Sequence, residues 1–105
     1  MRVIVNNKPL KTGVANNFFT RLKGLLGRRF MPAGEALVIY PCNSIHTFFM
    51  KFNIDVVFLD KNLMIKRVIR NLKPFRAVPY VKGAYYAVEM AGGTLPEYFT
   101  MDIST

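Results

Sequence analysis

One cysteine, one histidine and two of the six carboxylates fall within residues 42–60, CNSIHTFFMKFNIDVVFLD, around two dense apolar runs. Cys42, His46 and Asp55 are the residue types of a thiolate nucleophile, its base and an orienting carboxylate. Their spacing argues against that chemistry. Pairing Thr47-Phe48-Phe49-Met50 with Val56-Val57-Phe58-Leu59 as a hairpin sets His46 opposite Asp60 and Lys51 opposite Asp55. At about 3.3 Å per residue, His46 and Asp55 then stand more than about 10 Å apart. No catalytic residue is expected, and Cys42, a lone thiol beside Pro41, carries no motif that requires a thiolate. Cys42 and His46 would also be two ligands for zinc, which takes three or four, and no second Cys or His exists. No metal or other cofactor is expected.

Two other acids are better placed for a binding role. Asp55 precedes an apolar run that looks covered on both faces, and Glu89 sits inside Tyr85-Tyr86-Ala87-Val88-Glu89-Met90. A buried carboxylate needs a partner, because desolvating it alone is costly. Lys51 is the partner expected for Asp55, and Arg28 or Arg29 for Glu89. Such pairs pin register and turns, or else line a pocket whose cation receives an anionic ligand. The candidate ligand site is therefore His46, Met50, Lys51, Asp55 and Glu89, with a small anion, a sugar or a peptide end as occupant. The plainer alternative for His46 is a strand-end imidazole bonded to a backbone carbonyl or to Asp60. Met50, like Met31, Met64 and Met90, serves equally as core filler.

The net charge of +9, from 15 Lys and Arg against 6 Asp and Glu, attracts polyanions of any kind. Lys66, Arg67, Arg70, Lys73 and Arg76 fall within residues 66–76, with Phe75 and Tyr80 nearby for stacking. No aromatic RNA-reading signature, zinc knuckle or helix-turn-helix spacing accompanies them, so any RNA or DNA binding there is expected to be weak and indifferent to sequence.

These groups need elements to hold them. At 105 residues the chain is one domain, residues 1–105, large enough for a core without disulfide staples. Arg2 to Val5 reads as a strand followed by a turn at Asn6-Asn7-Lys8-Pro9. Asn16-Asn17 offers an N-cap to a helix through about Leu26, with Phe18, Leu22, Leu25 and Leu26 as its apolar stripe and Gly27 as its stop. Ala36 to Tyr40 reads as a buried strand ended by Pro41. The two runs of residues 42–60 read as neighbouring antiparallel strands with Phe48 and Phe58 buried. A strand from Leu63 to about Arg70 follows the turn Asp60-Lys61-Asn62, with a bulge expected near Arg67. Residues 73–83 read as a long connection, Tyr85 to Met90 as a strand, and Met101 to Ile103 as at most a short one. Short strands with one helix define a mainly antiparallel β domain. With no signal peptide and no apolar run near the roughly 20 residues of a membrane span, a cytoplasmic soluble protein is expected. The oligomeric state stays open.

Five motifs occur in one family's order: Gly24-Leu25-Leu26-Gly27-Arg28, Ile45-His46-Thr47-Phe48-Phe49-Met50-Lys51, Ile54-Asp55-Val56-Val57-Phe58-Leu59-Asp60, Lys73-Pro74-Phe75-Arg76 and Val88-Glu89-Met90-Ala91-Gly92-Gly93. Over about residues 16–102 the chain resembles the uncharacterised bacterial and archaeal domain-of-unknown-function family 192. The resemblance implies a compact, mainly β (α+β) fold, an antiparallel sandwich or barrel with one helix in the N-terminal half packed on it. It implies no established activity. Asn53 stands where the family often has Pro, and Met101-Asp102 where it has a late Gly-Asp.

Overall fold

The computed structural model describes residues 1–17, 28 and 30–105. Ten strands follow in chain order: β1 (Arg2–Val5), β2 (Lys8–Pro9), β3 (Lys11–Ala15), β4 (Glu35–Ile39), β5 (Ile45–His46), β6 (Ile54–Leu59), β7 (Ile65–Leu72), β8 (Ala77–Val78), β9 (Tyr86–Ala91) and β10 (Met101–Ser104). They make a central five-stranded sheet, β3-β4-β9-β6-β7, a three-stranded sheet, β10-β1-β2, and a two-stranded ribbon, β5-β8. Pairing is antiparallel except between β3 and β4. The sheets stack as layers and, among the described residues, do not close into a barrel. The helix expected after the Asn16-Asn17 cap, through about Leu26, falls on residues 18–26, outside the described residues.

Each face of the central sheet has its own core. On one, Val38, Val57, Leu59, Val88 and Met90 pack against Val3, Val5 and Ile103 of the small sheet. On the other, Ile39, Ile54, Val56, Phe58 and Ala87 pack against Val78, Val81 and Met50, with Ile45 beside them. Every residue of β6 is consequently buried, which is why its apolar run is continuous rather than alternating. The bulge expected near Arg67 is present: Phe58 pairs with Arg67 and Leu59 with Ile65, leaving Lys66 as the extra residue.

The hairpin expected within residues 42–60 does not form. β6 pairs with β7 and β9, while β5 pairs with β8, Ile45 opposite Val78 and His46 opposite Ala77. His46 therefore does not face Asp60, nor Lys51 Asp55. Residues 47–50 form a turn in which Thr47 and Met50 point inward while Phe48 and Phe49 are exposed. The Met50 amide donates to the Thr47 carbonyl at 3.2 Å, and Phe49 takes a left-handed φ of 66°. Phe58 is fully buried as expected; Phe48, 40% exposed, is not.

Candidate functional site

Thr47, the residue after β5, joins two loops into one surface. Its side chain is fully buried. Its hydroxyl donates to the Lys73 carbonyl at 2.6 Å and accepts from the Arg76 amide at 3.0 Å. Its own amide donates to the Arg76 carbonyl at 2.8 Å, and its carbonyl accepts from the Phe75 amide at 2.9 Å. The loop of residues 46–51 is thereby held against that of residues 73–76.

Aromatic rings crown this junction. Phe49 and Phe75 meet edge to face, centroids 5.6 Å apart and planes at 72°, yet they are 72% and 58% exposed. Phe75, like Phe49, has a left-handed backbone, φ 61°. That conformation is uncommon for a bulky residue and costs roughly 1–3 kcal/mol. The His46 and Phe48 rings lie 5.0 Å apart at 31°, and the Phe48 amide donates to His46 Nδ1 at 3.3 Å.

Lys51, Lys73 and Arg76 belong to the same two loops, and no carboxylate among the described residues pairs with them. Residues 36–54 and 61–88 contain no Asp or Glu. The expected ligand site and the expected polyanion stripe thus share a centre: His46 and Lys51 from the first join Lys73 and Arg76 from the second.

The remaining expected residues have other duties. Met50 is core. Asp55 is fully buried and takes no bond from Lys51. Its Oδ1 accepts from the Asn71 and Gly93 amides at 2.9 and 3.2 Å, and its Oδ2 from the Leu95 amide at 2.9 Å. It fastens the turn after β9 to β6. At Gly92 a Cβ would fall 2.8 Å from Asn71 Oδ1 and 2.9 Å from Asn53 Cβ, so only glycine fits. The Gly92 amide donates to the Asn53 carbonyl at 2.9 Å, a contact that the family's proline would also supply.

Glu89 is buried on the same sheet face as the ribbon, opposite Leu37 and Val56. No described residue gives its carboxyl a hydrogen bond, and burial pushes its pKa up to about 7. The expected partner Arg28 reaches Glu35 instead, at 3.8 Å, and Arg29 lies outside the described residues. Two cations of the expected stripe are also structural. Lys66 pairs with Asp60 at 3.6 Å; the Met64 amide at the same turn holds the Asp60 carboxyl below its ordinary pKa. Arg70 donates to the carbonyls of Leu95, Pro96 and Glu97 and lies over the Phe99 ring. Arg67 is exposed on β7.

The Cys42 thiol donates to the Ser44 carbonyl at 3.1 Å. No group of three or more metal-ligating side chains occurs among the described residues. No helix among them is long and apolar enough to cross a membrane. A cavity of about 230 Å³ opens on the other face of the central sheet, lined by Val5, Leu10, Met90 and Leu95 with Lys8 and Glu35; no residue of the candidate site lines it.

The chain belongs to domain-of-unknown-function family 192, described as an uncharacterised ACR, which it matches over residues 1–100. It is 33% identical over 99 residues to a UPF0127 protein of Pyrococcus abyssi, covering 85% of this chain and 82% of the relative. A crystal structure of a Novosphingobium aromaticivorans protein of unknown function superposes with a TM-score of 0.81 at 14% identity, covering 98% of this chain and 84% of that one. A Sinorhizobium meliloti protein proposed to be a transcription regulator gives 0.79 at 16% identity, with 96% and 89% covered. At these identities the solved structures share the fold alone. Sequence reasoning missed Thr47, whose partners are loop backbone groups that leave no pattern in the sequence.

Proposed function

We propose that the protein is a binding module whose ligand-contacting surface is the fused pair of loops at residues 46–51 and 73–76. Its ligand carries negative charge together with a flat or apolar group. The observation that carries the reading is the Phe49–Phe75 pair. Two phenylalanines are held in water, each in a left-handed conformation that a glycine would adopt without strain. Strain of this kind persists where the surrounding structure over-determines it, and it clusters at ligand clamps. Lys51, Lys73 and Arg76 supply the charge for an anion, and the absence of acid from both loops leaves that charge uncompensated. Of the five residues expected from the sequence, His46 and Lys51 belong to this surface, while Met50, Asp55 and Glu89 are buried.

The test is calorimetric titration with tripolyphosphate, a compact anion. The protein is expected to bind it, and Lys51→Ala combined with Lys73→Ala and Arg76→Ala is expected to weaken binding by about tenfold or more. Equal binding by that variant, or no binding by the parent protein, would contradict the reading.

A further inference from the structure

Resting on that reading, we infer that the occupant of the fused loops is single-stranded nucleic acid, its bases stacked on Phe49 and Phe75 and its phosphates against Lys51, Lys73 and Arg76. Three observations select this chemistry.

The first is charge. None of the six carboxylates of the chain falls within either loop. Asp55 and Glu89 are buried, Glu35 and Asp60 are paired with cations, and Glu97 and Asp102 lie after the turn that follows β9. Nothing acidic in residues 40–54 or 72–84 opposes a phosphate chain. A repeating anion gains from each cation in turn by displacing counterions.

The second is the kind of apolar surface. Phe48, Phe49 and Phe75 are the large apolar side chains exposed on these loops, and all three are aromatic. A membrane-seated tip draws on aliphatic as well as aromatic side chains. Rings alone suit planar partners, because every base offers a π-face whatever its identity.

The third is rigidity. The Thr47 hydrogen bonds fix both loops, so the rings are a preformed platform. Rings crossed at 72° cannot enter one continuous stack; they hold two bases splayed apart. Paired bases inside a duplex cannot open in that way, so a single strand is preferred. With no aromatic RNA-reading signature, zinc knuckle or helix-turn-helix spacing in the sequence, binding is indifferent to sequence.

Fluorescence anisotropy with labelled oligo(U) and oligo(dT), a duplex of equal length, heparin, and phosphatidylserine vesicles separates the alternatives. We expect both single strands to bind better than the duplex. Phe49→Ala and Phe75→Ala should each weaken that binding about tenfold without lowering the melting temperature. Single-strand affinity should fall steeply from low to physiological salt. Heparin bound as well as oligo(U), with both Phe variants unaffected and the Lys and Arg variants weakened, would overturn the nucleic-acid assignment and leave the anion site standing. Preferential capture by vesicles would overturn it in favour of a membrane surface. Failure to bind any of these anions would overturn both.

Discussion

The Arg76 amide donates to Thr47 Oγ1 at 3.0 Å, and the same hydroxyl donates onward to the Lys73 carbonyl at 2.6 Å. A single buried side chain thus closes the hydrogen-bonding of a loop 26 to 29 residues further along the chain. Thr47→Val keeps the shape and removes the hydroxyl, leaving the Arg76 amide and the Lys73 carbonyl short of partners. A destabilisation of about 1–3 kcal/mol is expected in urea unfolding. The same variant should weaken anion binding although it touches no ligand. Unchanged stability would show that the loops do not depend on Thr47.

Asp55 has a comparable role at the other end of β6. Its carboxylate gathers three backbone amides, from Asn71, Gly93 and Leu95, in a site without solvent. Asp55→Ala should cost about 3 kcal/mol, since bonds to a charged acceptor contribute about 1.5–3 kcal/mol each and the Leu95 amide is left buried without a partner. A melting temperature within a degree or so of the parent, about 0.3 kcal/mol for a domain this size, would refute the fastening role.

The sequence made some of this visible and hid the rest for a physical reason. β6 was legible because a strand covered on both faces carries a continuous apolar run, Val56 to Leu59, and β4 and β9 are likewise apolar over most of their length. Residues 47–50 are nearly as apolar and became a turn. Four residues, three of them apolar, carry no resolvable period, and the groups that decide the outcome, the Lys73 carbonyl and the Arg76 amide, belong to a distant loop. The site followed suit. Lys51, His46, Lys73 and Arg76 were legible as residue types, but their convergence depends on β5 pairing with β8. Asp55 and Glu89 were legible as buried acids; the partners of Asp55 were not, because backbone amides leave no mark in a sequence.

Glu89 makes stability depend on pH. Its carboxyl titrates at about 7 in the fold and near 4.5 when unfolded. A group with a raised folded pKa favours folding while protonated, so its full contribution is present below pH 4.5 and is lost as pH rises through 7. The difference amounts to about 3 kcal/mol. Glu89→Gln removes this titration. Compared in urea across pH 4 to 8, the variant should match the parent at the acid end and exceed its stability at pH 8. Parallel profiles for the two proteins would contradict the assignment.

Phe49 tests whether the strained surface exists for binding. Asn tolerates a left-handed backbone better than Phe does, and the Phe49 side chain is mostly in water. Phe49→Asn should leave thermal stability unchanged or raise it by up to about 1 kcal/mol, while weakening ligand binding. A large loss of stability would mark the ring as a structural part of the core instead.

The most direct measurement for the account as a whole is amide chemical-shift mapping during titration with tripolyphosphate and then oligo(U). Perturbations are predicted to concentrate in residues 46–51 and 73–76, with Phe49 and Phe75 responding further to the oligonucleotide. Shifts gathered around the cavity lined by Val5, Leu10 and Met90, or spread evenly over every lysine and arginine, would contradict a built binding site at the fused loops.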